Sequence, residues 1–350
     1  MKKDWGQLSK QIKLWSGELG FSRVGISNAE LAQTERRLSD WLARKFHGEM
    51  GYMEHHGIKR TRPAGLVPGT IRVITVSMSY LPESMQQCLD ALKDSDTGYI
   101  SRYALGRDYH KVVRKRLQKL ADRINIEIGE FGYRAFCDSA PVMEKALAES
   151  AGIGWLGKHT NILNRSEGSW FFLGELYVDI PLEVDTPVST HCGSCTACIE
   201  ICPTRAIVKP YELDARKCIS YLTIELQGSI PVQYRKDIGN RIYGCDDCQL
   251  VCPWNRYAHL AVEPDFAIRL PLHNRSLITL FGWTEETFLS ETEGSAIRRI
   301  GYTRWLRNIA VALGNATTSE EVVDALQSRA DHPTELVREH VQWALEQHSS

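Results

Sequence analysis

The sequence lacks the features that would assign it to a membrane, to secretion or to a strongly charged partner. No stretch approaches the ~20 consecutive apolar residues of a membrane-spanning helix. No apolar segment follows the lysines near the N-terminus, so we expect neither a membrane span nor a secretory signal. The net charge is −1 over 350 residues, which leaves any charged interface to local patches. Hydrophobic residues make up 43% of the chain, enough for a sizeable core, and the length predicts two or three domains.

Cysteine is scarce outside one stretch, because eight of the ten cysteines fall between residues 192 and 252. The first four have the bacterial ferredoxin spacing C-x2-C-x2-C-x3-C-P, in which the fourth thiolate ligates the other of two clusters. A second, irregular run ends in Cys252 and Pro253, and its first member lies far upstream at Cys218. The spacing predicts two 4Fe-4S clusters, one held by Cys192, Cys195, Cys198 and Cys252 and the other by Cys202, Cys218, Cys245 and Cys248.

Two other uses of these cysteines compete with iron. Cys-x2-Cys pairs also build tetrahedral zinc sites, although zinc seldom takes three cysteines at consecutive two-residue gaps and a fourth followed by proline. A disulfide framework is typical of small secreted scaffolds, unlike a chain of this length without a secretory signal. Iron held by thiolates indicates a reducing compartment, so we expect a cytoplasmic protein.

Helical and strand-like patterns alternate over the first half of the chain, which is typical of an α/β or α+β domain. The turn before residue 72 and the β-branched run after it predict a strand in particular. Pro141 is suitably placed for the first turn of a helix. The pattern predicts helices over 5–19, 30–46, 108–124 and 141–150 and strands over 21–26, 72–80, 133–137 and 169–179.

The chain as a whole is predicted to be an α+β protein in three parts. These are an N-terminal α/β domain over 1–185, a ferredoxin-like two-cluster module over 186–260 and an all-α region over 261–350. Two helical patterns in the last region echo one another, which leaves HEAT-like repeats and an unrelated helical cap equally open. The echoed positions are Trp305, Ile309, Ala312 and Leu313 in the first pattern and Val337, Val341, Ala344 and Leu345 in the second.

Beyond the cysteines, the chain resembles the epoxyqueuosine reductases, tRNA-modifying enzymes related to the reductive dehalogenases. The resemblance covers nearly the whole chain. It depends on ordered blocks whose order and spacing are specific together, although no single block would be. Besides the cysteine runs, the blocks are residues 59–60, 66–69, 101–110, 137–141, 152–155 and 238–246.

The resemblance implies a cobalamin-dependent reduction. Members bind cobalamin between the N-terminal domain and the ferredoxin-like module, and they reduce epoxyqueuosine to queuosine at the wobble position of tRNA, the last step of queuosine biosynthesis. The chain has no cobalt-ligating Asp-x-His-x-x-Gly segment, in agreement with the family's binding of cobalamin without a histidine ligand. We therefore expect a monomer that binds no membrane, acts on tRNA and receives electrons from a donor such as flavodoxin or ferredoxin.

Asp138 matches the proton-donor aspartate of the family. Opening an epoxide places negative charge on oxygen, so a general acid would assist the reaction. An ordinary aspartate has a pKa near 4, so Asp138 must be desolvated or share its proton in order to donate at neutral pH. Neighbours such as Phe136 and Pro141 are compatible with an apolar pocket that raises the pKa of Asp138. The residues alone fit a second role, in which Asp138 caps the N-terminus of the helix predicted to follow it.

Further positions match cofactor-contacting positions of the family. Arg60 suits a phosphate or amide of the corrin periphery, although a lone arginine is more often a solvated surface residue. The segment around His159 fits either a corrin contact or an ordinary strand connection, and residues beside cluster cysteines fit either a corrin contact or a turn. The resemblance implies cofactor contacts from Arg60, Ser101, Asp138, Lys158, His159, Ile162, Leu163, Asn164, Leu173, Ser220, Asn240, Asp246 and Asp247.

Two clusters of basic residues are candidates for contacts with tRNA phosphates. One lies on the polar side of the helix predicted over 108–124, and the other lies at the start of the C-terminal helices. A solvated helix face is the alternative for both. Tyr302 would stack on a base, whereas the helical register of Trp305 favours core packing. The basic residues are Lys111, Arg114, Lys115 and Lys119 in the first cluster and Arg298, Arg299, Arg304 and Arg307 in the second.

Two other functions compete with epoxyqueuosine reduction. A corrinoid reductive dehalogenase acting on a small molecule would use the same core, but it does not account for the helical C-terminal region. A pure electron-transfer protein would leave the residues before the cysteines unexplained.

Overall fold

A computed structural model describes residues 3–349, which form a sheet covered by helices, a cysteine-rich module and a C-terminal group of helices. The strands are β1 (Arg23–Asn28), β2 (Arg72–Ser79), β3 (Tyr99–Ile100), β4 (Tyr133–Phe136), β5 (Trp155–Leu156), β6 (Ile162–Leu163), β7 (Phe171–Val178), β8 (Ile207–Lys209), β9 (Glu212–Leu213) and β10 (Arg241–Tyr243). The helices of the first half are α1 (Trp5–Glu18), α2 (Ala32–Ala43), α3 (Tyr52–His55), α4 (Pro63–Leu66), α5 (Met85–Lys93), α6 (Tyr109–Ile128) and α7 (Glu144–Ser150). Those of the second half are α8 (Ala197–Ile201), α9 (Ile219–Ile224), α10 (Val232–Ile238), α11 (Asp247–Leu250), α12 (Leu277–Phe281), α13 (Glu285–Glu291), α14 (Gly301–Leu313), α15 (Glu320–Gln327) and α16 (Glu335–His348).

The main sheet has four strands in the order β1-β2-β7-β4, and every neighbouring pair is antiparallel. Strand β2 is central, and its β-branched and small residues suit burial on both faces. Helices α1 and α6 pack on the sheet, as does α7. The antiparallel order together with these helices makes the protein α+β, as the sequence predicts.

Glycines let helices approach both faces of this sheet. A methyl group at Gly174 would lie 2.6 Å from a Val113 methyl of α6, and one at Gly25 would lie 2.0 Å from the Ala151 carbonyl oxygen at the end of α7. In the register of the sheet Gly25 pairs with Thr75, and Thr75 pairs with Glu175. The side chain of Glu175 therefore points to the face that α7 covers.

The long elements agree with the sequence-based predictions to within a few residues, except at α7. That helix begins at Glu144, not at residue 141, so the prediction of Pro141 in its first turn is wrong. The residues before it form successive tight turns, in which the N–H groups of Ser139, Ala140 and Val142 donate to the carbonyl two residues earlier. Asp138 has a φ of 55° and does not cap the helix, so the capping interpretation is also wrong.

The C-terminal helices and the cysteine-rich module share one hydrophobic core. It contains Ile219 and Ile238 from the module, Phe281 from α12 and Trp305 from α14. The echoed positions of α14 and α16 meet in this core, where Trp305 is fully buried as predicted. The predicted domain boundaries and the HEAT-like assignment stay predictions. None of the described helices is long and apolar enough to span a bilayer.

Candidate active site

A cavity of about 2200 Å³ lies at the junction of the sheet domain and the cysteine-rich module. Pockets for small molecules usually enclose about 300–1,000 Å³. The walls come from α6, the loop between β4 and α7, strand β7 and the segments that carry four of the cysteines. The space therefore suits a group much larger than an ordinary metabolite.

The eight cysteines form two groups that differ in their surroundings. Cys198 is affected by the charges of its three predicted partners, and Cys248 by those of Cys218 and Cys202. Burial, followed by these neighbouring charges, raises the pKa of both thiols. We name Cys192, Cys195, Cys198 and Cys252 the outer group and Cys202, Cys218, Cys245 and Cys248, all of which line the cavity, the inner group.

Short helices place the thiols. Cys198 lies in α8 and Cys248 in α11, and these two helices pack against each other. The Ala206 N–H donates to Cys202 Sγ at 3.2 Å, the kind of contact that tunes a sulfur ligand. Cys195 is exposed at the surface, whereas the inner group faces the cavity. Within residues 3–349 no group of three or more His, Cys, Asp or Glu side chains is arranged to hold a single metal ion, and none of the ten cysteines is in a disulfide.

A hydrogen-bonded set of side chains lines another part of the cavity. The Tyr109 hydroxyl donates to Asp138 Oδ2, and His110 Nε2 lies 3.2 Å from the same oxygen. His110 Nδ1 contacts Asp108 Oδ1 at 2.7 Å, which fixes the ring. Glu144 Oε1 accepts the Asp138 N–H at 2.5 Å. We name Tyr109, His110, Asp138 and Glu144 the acid wall.

Of the pair His110 and Asp138, the histidine holds the proton and the aspartate is ionised. Burial favours neutral Asp138, but hydrogen bonds from His110 and Tyr109 lower its pKa below the ordinary value. Burial likewise opposes a charge on His110, but its bonds to Asp108 and Asp138 raise its pKa to about 9. The predicted rise in the pKa of Asp138 is therefore wrong. The carboxylate is 52% exposed to the wide cavity and has two donors, so burial alone does not decide its state.

Comparison with known proteins identifies the family. Residues 191–255 match a family described as 4Fe-4S double cluster binding domain, and residues 60–139 match one described as Epoxyqueuosine reductase QueG, DUF1730. The epoxyqueuosine reductase of Pseudomonas aeruginosa is 59% identical over 346 residues, which cover 99% of this chain and 96% of that protein. The chain belongs to the epoxyqueuosine reductase family. It is therefore an oxidoreductase with two 4Fe-4S clusters.

Solved structures of epoxyqueuosine reductases have the same fold. The Bacillus subtilis enzyme, in a structure with its catalytic aspartate loop swung out of the active site, superposes with a TM-score of 0.86 at 28% identity, covering 97% of this chain and 90% of that chain. An epoxyqueuosine reductase with an epoxyqueuosine-modified tRNA-Tyr stem loop superposes with a TM-score of 0.84 at 25% identity, covering 98% of this chain and 99% of that chain.

Several positions that the resemblance to this family singled out line the cavity, and two of them carry unpartnered polar atoms. His159 Nδ1 accepts the Asn161 N–H at 3.1 Å, so Nε2 carries the proton of the neutral ring, and it is buried without a partner. Burial lowers the pKa of His159 to about 4. Arg60 donates from one terminal nitrogen to the Tyr52 carbonyl, while its Nε has no partner. The residues of the predicted set that line the cavity include Arg60, Ser101, His159, Leu173 and Ser220.

Other predicted contacts do not line the main cavity. Lys158 Nζ donates to the Gly193 and Cys195 carbonyls at 2.8 Å each, so it braces the loop of the outer group. Ile162 lines only a small side pocket of about 100 Å³ that shares Leu173 with the cavity. The remaining three, Leu163, Asn164 and Asn240, are buried, and the Asn240 amide donates to three carbonyls between residues 91 and 97.

Asp246 and Asp247 border the cavity, but their carboxylates already have protein partners. Asp246 accepts hydrogen bonds from the hydroxyls of Tyr99 and Ser101 and from the Arg102 N–H. Asp247 pairs with Arg241, whose Nε lies 2.8 Å from Oδ2. Both aspartates therefore hold the chain next to the inner group in place.

The predicted basic clusters differ in exposure. Lys111, Arg114 and Lys115 are exposed and line the cavity, as do Arg298 and Arg299. Lys119 is exposed but lies away from the cavity, and Arg304 is half-buried against backbone carbonyls. Arg307 is fully buried and donates to the carbonyls of residues 222, 226 and 228, so the prediction of a surface contact there is wrong.

Sequence reasoning missed His110, Tyr109 and Glu144. The first two lie inside the block 101–110 that carried the resemblance, directly after the N-cap residue Asp108, but no chemistry was assigned to them. Tyr109 and His110 are adjacent residues at the start of a helix, and the sequence does not indicate that both contact the carboxylate of Asp138. In the sequence, Glu144 is an acidic residue in the first turn of a predicted helix, a common position for glutamate that does not indicate a catalytic role.

Proposed function

We propose that this protein removes the epoxide oxygen of epoxyqueuosine in tRNA, with cobalamin bound in the cavity between the inner group and the acid wall. The observation that carries the proposal is that four predicted cluster ligands and a protonated His110–Asp138 pair line the same cavity. Cobalamin, when bound, would supply the low-valent cobalt chemistry for reduction of the epoxide. The protein would act in the cytoplasm as a monomer.

The polar atoms that line the cavity fit the periphery of a corrin. His159 Nε2 and Arg60 Nε are buried donors without protein partners, and the corrin amides and phosphate are acceptors. Burial lowers the pKa of Arg60, so a ligand phosphate or amide there would relieve an under-solvated cation. Leu173 adds an apolar surface and Ser220 a hydroxyl beside Cys218.

Electrons would pass from the outer group to the inner group and then into the cavity. Exposed Cys195 makes the outer group accessible to a donor protein such as flavodoxin or ferredoxin. The packing of α8 on α11 brings the two groups together. The inner group lines the cavity, so the last transfer needs no further protein carrier.

The acid wall would protonate the epoxide oxygen as the C–O bond opens. His110 is charged at neutral pH, and its Nε2 lies 3.2 Å from Asp138 Oδ2, which is exposed to the cavity. Asp138 would therefore pass on a proton that His110 replaces, and Tyr109 would hold the carboxylate in position. The catalytic aspartate loop of the Bacillus subtilis relative supports this role for the loop that begins at Asp138.

The tRNA would bind over the cavity mouth. Lys111, Arg114 and Lys115 come from α6, and Arg298 and Arg299 come from the turn before α14, so cations from two parts of the chain surround the opening. Such cations would neutralise backbone phosphates while the modified base enters the cavity. The relative with a bound stem loop supports tRNA as the partner.

The direct test is anaerobic incubation of the cobalamin-loaded protein with tRNA carrying epoxyqueuosine and a strong reductant, followed by digestion and nucleoside mass spectrometry. We expect the epoxide nucleoside to lose the mass of one oxygen. The Asp138→Asn variant, loaded with the same cofactors, is the matched control and should leave most of the nucleoside unconverted over the time in which the wild-type protein converts it. An unchanged nucleoside with the wild-type protein would refute the proposal.

A further inference from the structure

The proposed reaction needs a second proton whose source the acid pair of His110 and Asp138 does not provide. When an epoxide becomes an alkene, two C–O bonds break, one C=C π bond forms and the oxygen leaves as water. The balance requires two electrons, which a one-electron donor protein supplies through the clusters, and two protons. His110 and Asp138 together carry one proton at neutral pH. The inference below rests on the proposed function.

Glu175 is a buried carboxyl group with no use in the mechanism described so far. It lies in the middle of β7 and is fully buried. No N–H or hydroxyl group among the described residues donates to either of its oxygens, and its carboxyl group lies within hydrogen-bonding reach of that of Glu144. The sheet register pairs it with Phe136, two residues before Asp138. An ionised carboxylate without a donor is strongly disfavoured in such a place, so this side chain is neutral. Burial and the charge of Glu144 accordingly raise the pKa of Glu175 well above its ordinary value.

Glu144 connects this buried group to the cavity. Its side chain lines the cavity, and its Oε1 accepts the Asp138 N–H at 2.5 Å. Burial, and then the charge of Asp138, raise the pKa of Glu144 to about 8. The titratable or charged groups that face Glu144 are Asp138 and Cys137 from the loop after β4, Glu175 and Tyr177 from β7, Lys145 from α7 and Arg60 from the turn after α3.

We propose that Glu144 and Glu175 share one proton at neutral pH and that Glu144 delivers it into the cavity as the second proton of the reaction. Two adjacent carboxyl groups, of which Glu175 is fully buried, do not both ionise at neutral pH, as in other paired-carboxylate sites. Glu144 is the catalytic residue of the pair because it faces the substrate space. Glu175 is a positioning residue that keeps the proton on the pair.

The two protons then have separate destinations. The first, from Asp138 and His110, goes to the epoxide oxygen as the first C–O bond breaks, which leaves a hydroxyl group. The second, from Glu144, goes to that hydroxyl as the second C–O bond breaks and water departs. Water in the cavity restores both protons before the next turnover.

Infrared spectroscopy tests the shared proton without any turnover. In the wild-type protein loaded with both clusters, the difference spectrum between neutral and alkaline pH should show a protonated carboxyl band that disappears as the pH rises through about 8. Glu175→Gln should lose this band, because its amide would donate to an ionised Glu144. Glu144→Gln should keep a carboxyl band that no longer responds near that pH. Glu149→Gln, a change in the same helix at a residue whose side chain accepts the Leu156 N–H, should match the wild type. A wild-type spectrum without the titrating band would overturn the proposal.

Single-turnover kinetics with pre-reduced, cobalamin-loaded protein test delivery of the proton. The wild-type rate should fall as the pH rises through about 8, whereas Glu144→Gln should be slower by about a hundredfold and lack that fall. Its amide oxygen can still accept the Asp138 N–H, so a merely structural role would leave the pH profile unchanged and defeat the inference. Conversion by wild type, with Glu144→Gln and Glu149→Gln equally fast, would sink this inference and leave the proposed function standing. No conversion by wild type would sink the function itself.

Discussion

The inner group and the acid wall line one cavity but differ in the chemistry proposed for them. The inner group is built from cysteines whose spacing alone predicts what they bind, and in the proposed mechanism it would provide electrons. The acid wall is built from α6, a turn with left-handed backbone and α7, and in the proposed mechanism it would provide protons. Lys145 lies between the two groups: its ammonium group interacts with the charges of Glu144 and Asp138 on one side and of Cys248 and Cys218 on the other. In the proposed mechanism, reduction and protonation would therefore fall to different elements of the fold that line the same cavity.

The largest effect should come from removing one cysteine of the inner group. Cys248→Ser should abolish reduction by any donor and lower the iron content from about eight to about four atoms per chain. Cys195→Ser, in the outer group, should lose the same iron. Because the cavity is open to small molecules, a small reductant should still drive slow turnover in Cys195→Ser although a donor protein does not. Equal loss of both activities in the two variants would contradict the assignment of inner and outer roles.

The next effect concerns the acid wall. Asp138→Asn should reduce turnover by about 10²–10⁴-fold, because the amide cannot pass on the His110 proton. Cobalamin and iron contents should stay near wild-type values, since the amide has the size of the Asp138 carboxylate and no cysteine is changed. Cofactor contents and single-turnover rates check this prediction. Near-normal turnover in the variant would remove Asp138 from the proton path.

A smaller effect concerns the stability that the His110 ion pairs give to the acid wall. The folded pKa of about 9 exceeds the ordinary value of 6.5, so the charged ring stabilises the fold fully below about pH 6.5, and this stabilisation is lost as the pH rises through about 9. His110→Gln should therefore cost up to about 3 kcal/mol near neutral pH and nothing above that window. Unfolding free energies of the two proteins against pH check it. A constant difference across the range would mean that the ring is not charged.

The smallest effect concerns the exposed basic residues that line the cavity. Lys115→Gln should weaken tRNA binding severalfold and lower the slope of log affinity against log salt by about 1. Lys10→Gln changes an exposed cation that does not line the cavity, and it should leave both values unchanged. Binding titrations at several salt concentrations measure the slope. Identical slopes for the two variants would exclude Lys115 from the interface.

The sequence predicts the inner group of cysteines much better than it predicts the acid wall. Cluster ligands follow a short local spacing, and the long helices and strands follow hydrophobic period, so both are readable along the chain. The loop at Asp138 is not, because its turns and positive φ depend on contacts with α6 and α7. The protonation of His110 depends on Asp108, two residues away, and also on Asp138, 28 residues away. The neutrality of Glu175 depends on its burial in the sheet and on Glu144, which lies far away in sequence. The prediction that Arg307 contacts tRNA was wrong for the same reason. The sequence gives no sign of the backbone carbonyls, distant along the chain, that accept hydrogen bonds from this buried arginine.

The most direct measurement is electron paramagnetic resonance of cobalamin-loaded protein, poised so that the cobalt and the inner cluster are both paramagnetic. If the inner group delivers electrons into a cavity that holds the corrin, the cobalt signal should be broadened or split by the cluster. This perturbation should disappear in Cys248→Ser and persist in Cys195→Ser. An unperturbed cobalt signal in the wild-type protein would contradict the account.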